Sequence, residues 1–174
     1  MMWYPVVRMC ESGEQEIPFI VLAPQCPEGE MWTDTETLIA LLDQVIADHR
    51  VDTEQIYLVG YSMGGNGAWY LAYKHPDRFA AIAPMSGMAN VWWTHRLKDL
   101  PVWVFHGEKD DLVPARESQE MVDALIAKGG EVRFSLIEDR SHRPPTDEEH
   151  FELFEWFLTH RRSSGDSNTE DDLE

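Results

Sequence analysis

The chain has 174 residues, 43% of them hydrophobic and 11% aromatic, enough for one domain with a sizeable core. Its 32 acidic residues against 14 basic ones give a formal charge of −18, a surface field that repels nucleic acid and anionic membranes and excludes both as partners. Two cysteines, Cys10 and Cys26, allow one disulfide at most and read as free thiols rather than a disulfide framework.

From the amino end, "MMWYPVVRMC" lacks the basic start, long apolar middle and small-residue cleavage site of a signal peptide, and no run reaches the roughly 18 apolar residues of a membrane span. A cytoplasmic location is the default expectation. "PFIVLAP" (18–24), "IYLVG" (56–60), "FAAIAP" (79–84) and "PVWVFHG" (101–107) are short apolar runs bounded by Pro, Gly or Asp, which predicts strands buried on both faces of a parallel sheet. Between the first two, "TDTETLIALLDQVIADH" carries Leu38, Leu41, Leu42, Val45 and Ile46 at helical spacing, with Thr33 and Glu36 as its expected capping box. "PARESQEMVDALIAKGG" predicts a helix opening at Pro114 and closing at Gly129, and "TDEEHFELFEWFLTH" predicts another behind a Thr146–Glu149 capping box. In "EVRFSLIED" (131–139) Val132, Phe134 and Leu136 alternate with polar residues, the pattern of a half-exposed strand near a sheet edge.

Strands alternating with helices predict a three-layer α/β domain with a mostly parallel sheet, over residues 17–160. Residues 1–16 form a short leading segment. Residues 161–174, "RRSSGDSNTEDDLE", have almost nothing apolar to bury and read as a disordered acidic tail.

In a parallel sheet every strand delivers its following loop to one rim, where reactive groups gather. Gly60-Tyr61-Ser62-Met63-Gly64 fits G-x-S-x-G, in which a strained strand-to-helix turn lifts the serine hydroxyl clear of the sheet. The helix beginning near Met63 points its backbone N–H groups at that serine, so the Met63 N–H is the expected oxyanion donor. A serine needs a base, and the base an orienting acceptor. Asp110 and Asp111 lie after one later strand and His142 after the next, on the same rim and in the order Ser, Asp, His. His95 is the rival base; His49, His75, His106, His150 and His160 occupy helix, turn or strand positions. Trp32, Trp92 and Trp93 fall on loops after strand ends, where they would either wall an acyl or aromatic pocket or simply pack; Trp69, Trp103 and Trp156 read as core. Glu138, Asp139 and His142 match no standard metal spacing, and no metal or organic cofactor is expected.

"APQCPEGEMW", "VDTEQIYLVGYSMGGNGAWYLAYKHPDRFAAIAPMSG" and "LPVWVFHGEKDDLVP" resemble the serine esterases of the α/β-hydrolase superfamily, in particular those related to feruloyl esterases, poly(3-hydroxybutyrate) depolymerases and predicted peptidases. The resemblance covers most of residues 17–158 and implies an α/β-hydrolase fold acting on small-molecule or polymer esters. The family pattern H-G-x-x-D-x-x-V-P falls on His106, Gly107, Asp110, Val113 and Pro114, which selects Asp110 over Asp111 as the acid and leaves His142 as the base, with Ser141 where a glycine often stands. A peptidase or thioesterase of the same fold is the alternative chemistry. The resemblance also implies about three strands and an "HG" oxyanion loop before "PFIVLAPQCP", one of those strands lying between the strands of residues 18–24 and 56–60. This chain has only "MMWYPVVRMCESGEQEI" there. "WYPVVRM" is too close to the next strand for a parallel crossover of about a dozen residues, so an antiparallel hairpin is expected of it. The resulting expectation is an amino-truncated hydrolase, either a clipped enzyme or a remnant serving as a binding module.

Overall fold

A computed structural model describes residues 9–10 and 17–162. Among the described residues four strands, β1 (Tyr57–Tyr61), β2 (Ala81–Met85), β3 (Val102–Gly107) and β4 (Val132–Ile137), form one sheet in the order β1-β2-β3-β4. All three pairings are parallel, with Tyr57 opposite Ala81, Ile82 opposite Val102, and Val102 opposite Val132. The helices are α1 (Thr35–Asp48), α2 (Met63–Lys74), the single turn α3 (Thr94–Leu97), α4 (Ala115–Ile126) and α5 (Asp147–Leu158).

Alternation along the central strands builds the two sides of the core. Ile82, Val102 and Val104 face Ile39 of α1, Trp69 and Leu71 of α2, and Met121 and Leu125 of α4. Ala81, Ala83, Met85, Trp103 and Phe105 face Leu153, Phe154 and Phe157 of α5, giving helix, sheet and helix layers. β2 and β3 are buried along their whole length, which accounts for their continuous apolar sequences; β4 is half-exposed as expected, but Leu136 faces outward while Ser135 is half-buried against Trp103, so the expected alternation holds only for Val132, Arg133 and Phe134.

Helix ends follow local chemistry. Asp34, not Thr33, caps α1: its carboxylate accepts both the Thr37 N–H at 3.1 Å and the Thr37 hydroxyl at 2.7 Å, and the expected Thr33–Glu36 box does not form. The helix starts one residue later than that box requires, and an ionised Asp is the better partner for a helix amino end. At α5 the Thr146–Glu149 box is present in both directions. α4 ends through Gly129, at φ 80°, with the Gly130 N–H bonded to the Leu125 carbonyl.

Residues 18–24 depart from expectation, because they join no sheet. Phe19 is anchored edge-on against Tyr57 and Phe154, at ring-centroid separations of 5.7 and 5.3 Å. Ile20, Val21 and Leu22 beyond it are 59, 38 and 39% exposed, so the segment is not buried on both faces. A strand is held by its neighbour's backbone, and among the described residues none lies between this segment and β1. An apolar groove of about 400 Å³ occupies the interval, lined by residues 19–22, by Leu38, Leu41, Leu42 and Val45 of α1, and by Tyr57, Leu58 and Val59 of β1. The expected hairpin of "WYPVVRM" lies almost wholly outside the described residues.

Arg161 and Arg162, assigned to the tail by sequence, are pinned instead. Arg161 contacts Asp52 and Glu54, while the Arg162 N–H and guanidinium bond the carbonyls of Glu54 and Asp77. Residues 163–174 lie outside the described residues. Cys10 and Cys26 are both free thiols, and no described helix is long and apolar enough to cross a membrane.

Candidate active site

Ser62 stands between β1 and α2 at φ 54° and ψ −117°, a strained conformation for a residue with a Cβ. Two glycines let the turn close. A Cβ on Gly60 would lie 2.0 Å from the Gly64 carbonyl oxygen, and one on Gly65 would lie 2.6 Å from that of Met85. The Ser62 N–H donates to the Met85 carbonyl, tying the elbow to β2. No side chain caps α2, so the Met63 N–H at its first position has no intrahelical acceptor.

Asp110 follows β3 and is buried. Its Oδ1 accepts the backbone N–H groups of Leu112 and Val113 at 3.0 and 2.8 Å. His142 follows β4; its Nδ1 lies 2.7 Å from Asp110 Oδ2 and its Nε2 lies 2.8 Å from Ser62 Oγ. Hydrogen bonds thus run from serine through imidazole to carboxylate across three loops and 80 residues of sequence. The Tyr61 ring lies 5.2 Å from the imidazole.

Gly107 brings the last two loops together. A Cβ there would stand 2.4 Å from the Arg140 carbonyl oxygen and 2.7 Å from that of Ser141, just before His142. The Lys109 N–H then donates to the Arg140 carbonyl at 2.8 Å. Gly107→Ala is expected to push the His142 loop outward, at a stability cost of about 1–3 kcal/mol. A thermal melt checks this; an unchanged melting temperature would show that the loop does not rely on the close approach.

Burial pushes the Asp110 carboxyl up, but hydrogen bonds from the Val113 N–H, His142 and the Leu112 N–H outweigh it and hold the group below the usual carboxylate range. Burial also opposes ionisation of Glu149, and its bonds from Arg140 and the Thr146 N–H likewise prevail. Both folded values lie below the unfolded ones, so both contributions to stability are complete above the ordinary carboxylate range. They are lost as pH falls through the lowered folded values. Melting temperature is accordingly expected to fall on acidification below about pH 4, less steeply in Asp110→Asn than in the parent. Melts between pH 7 and 3 measure the two slopes.

The other candidates are placed elsewhere. His95 is exposed and bonds the Trp92 carbonyl through Nδ1, away from Ser62. Asp111 is exposed beside the buried Asp110. Asp139 pairs with Lys109. Trp93 stacks on Tyr73 at 5.3 Å, and the Trp32 side chain covers Gly67 of α2, where a Cβ would approach it to 2.5 Å. Trp92 remains 79% exposed. Two features were missed in the sequence: the close approach at Gly107, and the buried pair of His106 with Ser118, 2.7 Å apart. Only the H-G of the family pattern signalled either.

The phospholipase/carboxylesterase family model matches residues 1–159, and the chain belongs to that family, within the α/β-hydrolase fold. It is 30% identical over 102 residues to the bifunctional acetylxylan esterase/xylanase XynS20E of Neocallimastix patriciarum, a match covering 55% of this chain and 15% of that protein. It is 26% identical over 114 residues to the cutinase est1 of Thermobifida alba, covering 62% and 38% of the two chains. Among solved structures it is similar to a thermostable esterase, with a TM-score of 0.72 and 30% identity over 80% of this chain and 44% of the other. This chain therefore spans less than half the length of each of these relatives.

Proposed function

We propose that the protein is a serine hydrolase that cleaves carboxylic esters through an acyl-enzyme. Ser62 is the nucleophile, His142 the general base and then acid, Asp110 the acceptor that fixes the imidazole, and the Met63 N–H one oxyanion donor. The observation that carries this reading is the continuous contact of Ser62 Oγ with His142 Nε2 at 2.8 Å and of His142 Nδ1 with Asp110 at 2.7 Å. Asp110 accepts the Nδ1 proton and so leaves Nε2 basic, facing the serine hydroxyl. Attack on an ester carbonyl passes the serine proton to Nε2; the imidazolium returns it to the departing alcohol, and water repeats the sequence to release the acid.

The family and the relatives named as acetylxylan esterase and cutinase support an ester substrate, borne on a small molecule or a polymer. Of the three candidate tryptophans, Trp92, on the loop after β2, is the one whose ring stands exposed to touch it. Trp32 and Trp93, the other two candidates, use their rings in packing.

The test is hydrolysis of short p-nitrophenyl esters with and without chelator. Turnover that survives chelator and is abolished in Ser62→Ala is expected. Chelator-sensitive turnover, or full turnover in Ser62→Ala, would overturn the mechanism. Turnover at any rate that depends on Ser62 fits the proposal. A folded chain with no Ser62-dependent chemistry would favour the non-enzymatic binding module.

A further inference from the structure

The turn that follows β2 is fastened to the nucleophile's helix by a side chain the mechanism above does not use. Ser86 leaves β2 buried and at φ 46°, left-handed for a residue with a Cβ, and its N–H donates to the Phe105 carbonyl of β3 at 2.8 Å. Gly87 then runs backbone to backbone along the first turn of α2, where a Cβ on it would stand 2.6 Å from the Gly65 carbonyl carbon and 2.8 Å from the Asn66 nitrogen. Met88 closes the turn, and its N–H donates to Asn66 Oδ1 at 2.7 Å. The Asn66 N–H in turn donates to the Ser62 carbonyl at 3.0 Å. One residue therefore ties the nucleophile and the 86–88 turn together.

Asn66 is the fourth residue of α2. Asparagine is a weak helix former, and here its side chain serves a segment outside the helix rather than the helix itself. The tie brings Met88 to within one helical turn of Ser62 while leaving it 49% exposed. Met63, the residue after Ser62, is 38% exposed. A single exposed methionine is ordinary; two from separate segments beside one nucleophile, one of them held by its own hydrogen bond, form a contact surface. Their unbranched thioether chains adapt to apolar groups of varied shape.

We propose that Met88, with Met63, contacts an apolar acyl chain of the ester, and that Asn66 is the positioning residue that holds Met88 there. The inference rests on reading Ser62 as the nucleophile and names the substrate class as esters of aliphatic acids longer than acetate. The acyl group becomes bonded to Ser62 Oγ, so a surface that begins at the next residue meets that group first. Asn66 touches no substrate in this account. It acts by keeping the 86–88 turn against α2.

The first measurement compares kcat/KM for p-nitrophenyl hexanoate and p-nitrophenyl acetate, which share a leaving group and differ only in the chain. The parent is expected to favour hexanoate, and Met88→Ser to lower the hexanoate-to-acetate ratio by about fivefold, through KM more than kcat. Asn66→Ala releases the turn and should lower the ratio comparably; Asn66→Asp keeps an acceptor for the Met88 N–H and should hold it near the parent value. Ile126→Ser removes a side chain that is 56% exposed at the carboxyl end of α4 and should leave the ratio unchanged. A loss of stability alone lowers both rates together and does not move the ratio. An unchanged ratio in Met88→Ser would overturn the contact, and equal losses in Asn66→Ala and Asn66→Asp would overturn the positioning role.

Binding is read separately, without turnover, by NMR of Ser62→Ala labelled with [methyl-¹³C]methionine and titrated with ethyl hexanoate. The methyl signals of Met63 and Met88 are expected to shift. A Met88 signal that stays in place would sink the proposal, whereas shifting signals beside a parent with no Ser62-dependent turnover would support the contact and count against the esterase reading alone.

Discussion

Asp110→Asn is expected to slow acylation of Ser62 by about 10⁴, whereas Asp111→Asn, one residue away, should change it less than threefold. The difference follows from where the two carboxylates sit. Asp110 is buried, and its Oδ2 is 2.7 Å from His142 Nδ1, so an amide in its place can offer that nitrogen an N–H and favour the wrong tautomer. Nε2 would then carry the ring proton and be unable to take the serine's. Asp111 is exposed to solvent, and a charge there acts on the site only through water. Pre-steady-state reaction with an activated ester or an organophosphonate gives the acylation rate of both variants. Equal losses would mean that the acid has been misassigned; an intact rate in Asp110→Asn would mean that His142 needs no anionic partner.

The second large effect concerns stability. β1 ends the described sheet, and its outer backbone groups face the groove of about 400 Å³ rather than another described strand. Among the described residues that edge is unpaired; an unpaired edge beside an apolar cleft invites pairing with another chain, and each uncompensated buried amide costs on the order of 1 to 3 kcal/mol out of a domain total of about 5 to 15. The 174-residue chain is accordingly expected to self-associate and to melt broadly and below the usual mesophilic range. The charge of −18 keeps associated material in solution, so solubility does not report folding. Size-exclusion chromatography with a thermal melt is the check. A clean monomer with a sharp transition above about 50 °C would show that the edge is satisfied.

The sheet and the elbow were legible in the sequence because their causes are local. A strand buried on both faces must be apolar throughout, as β2 and β3 are, and a strained turn packed against a neighbouring strand needs small residues such as Gly60 and Gly65. Ser62, Asp110 and His142 could be aligned because parallel topology sends every loop to one rim. What escaped was set by partners distant in sequence. "PFIVLAP" has the composition of a strand, yet pairing depends on a neighbour that composition cannot supply. The Ser118 contact of His106 was invisible because that serine reads as an ordinary polar residue of α4; its burial depends on the fit of α4 against β3.

The central claim is that Ser62 is a nucleophile activated by His142. Mass spectrometry after treatment with a fluorophosphonate probe tests it most directly, since it maps the modified residue without assuming a substrate. The account predicts one adduct, on the peptide containing Ser62, absent in Ser62→Ala and strongly slowed in His142→Ala. An adduct that persists in Ser62→Ala, or a folded parent protein that takes up no probe at all, would contradict it.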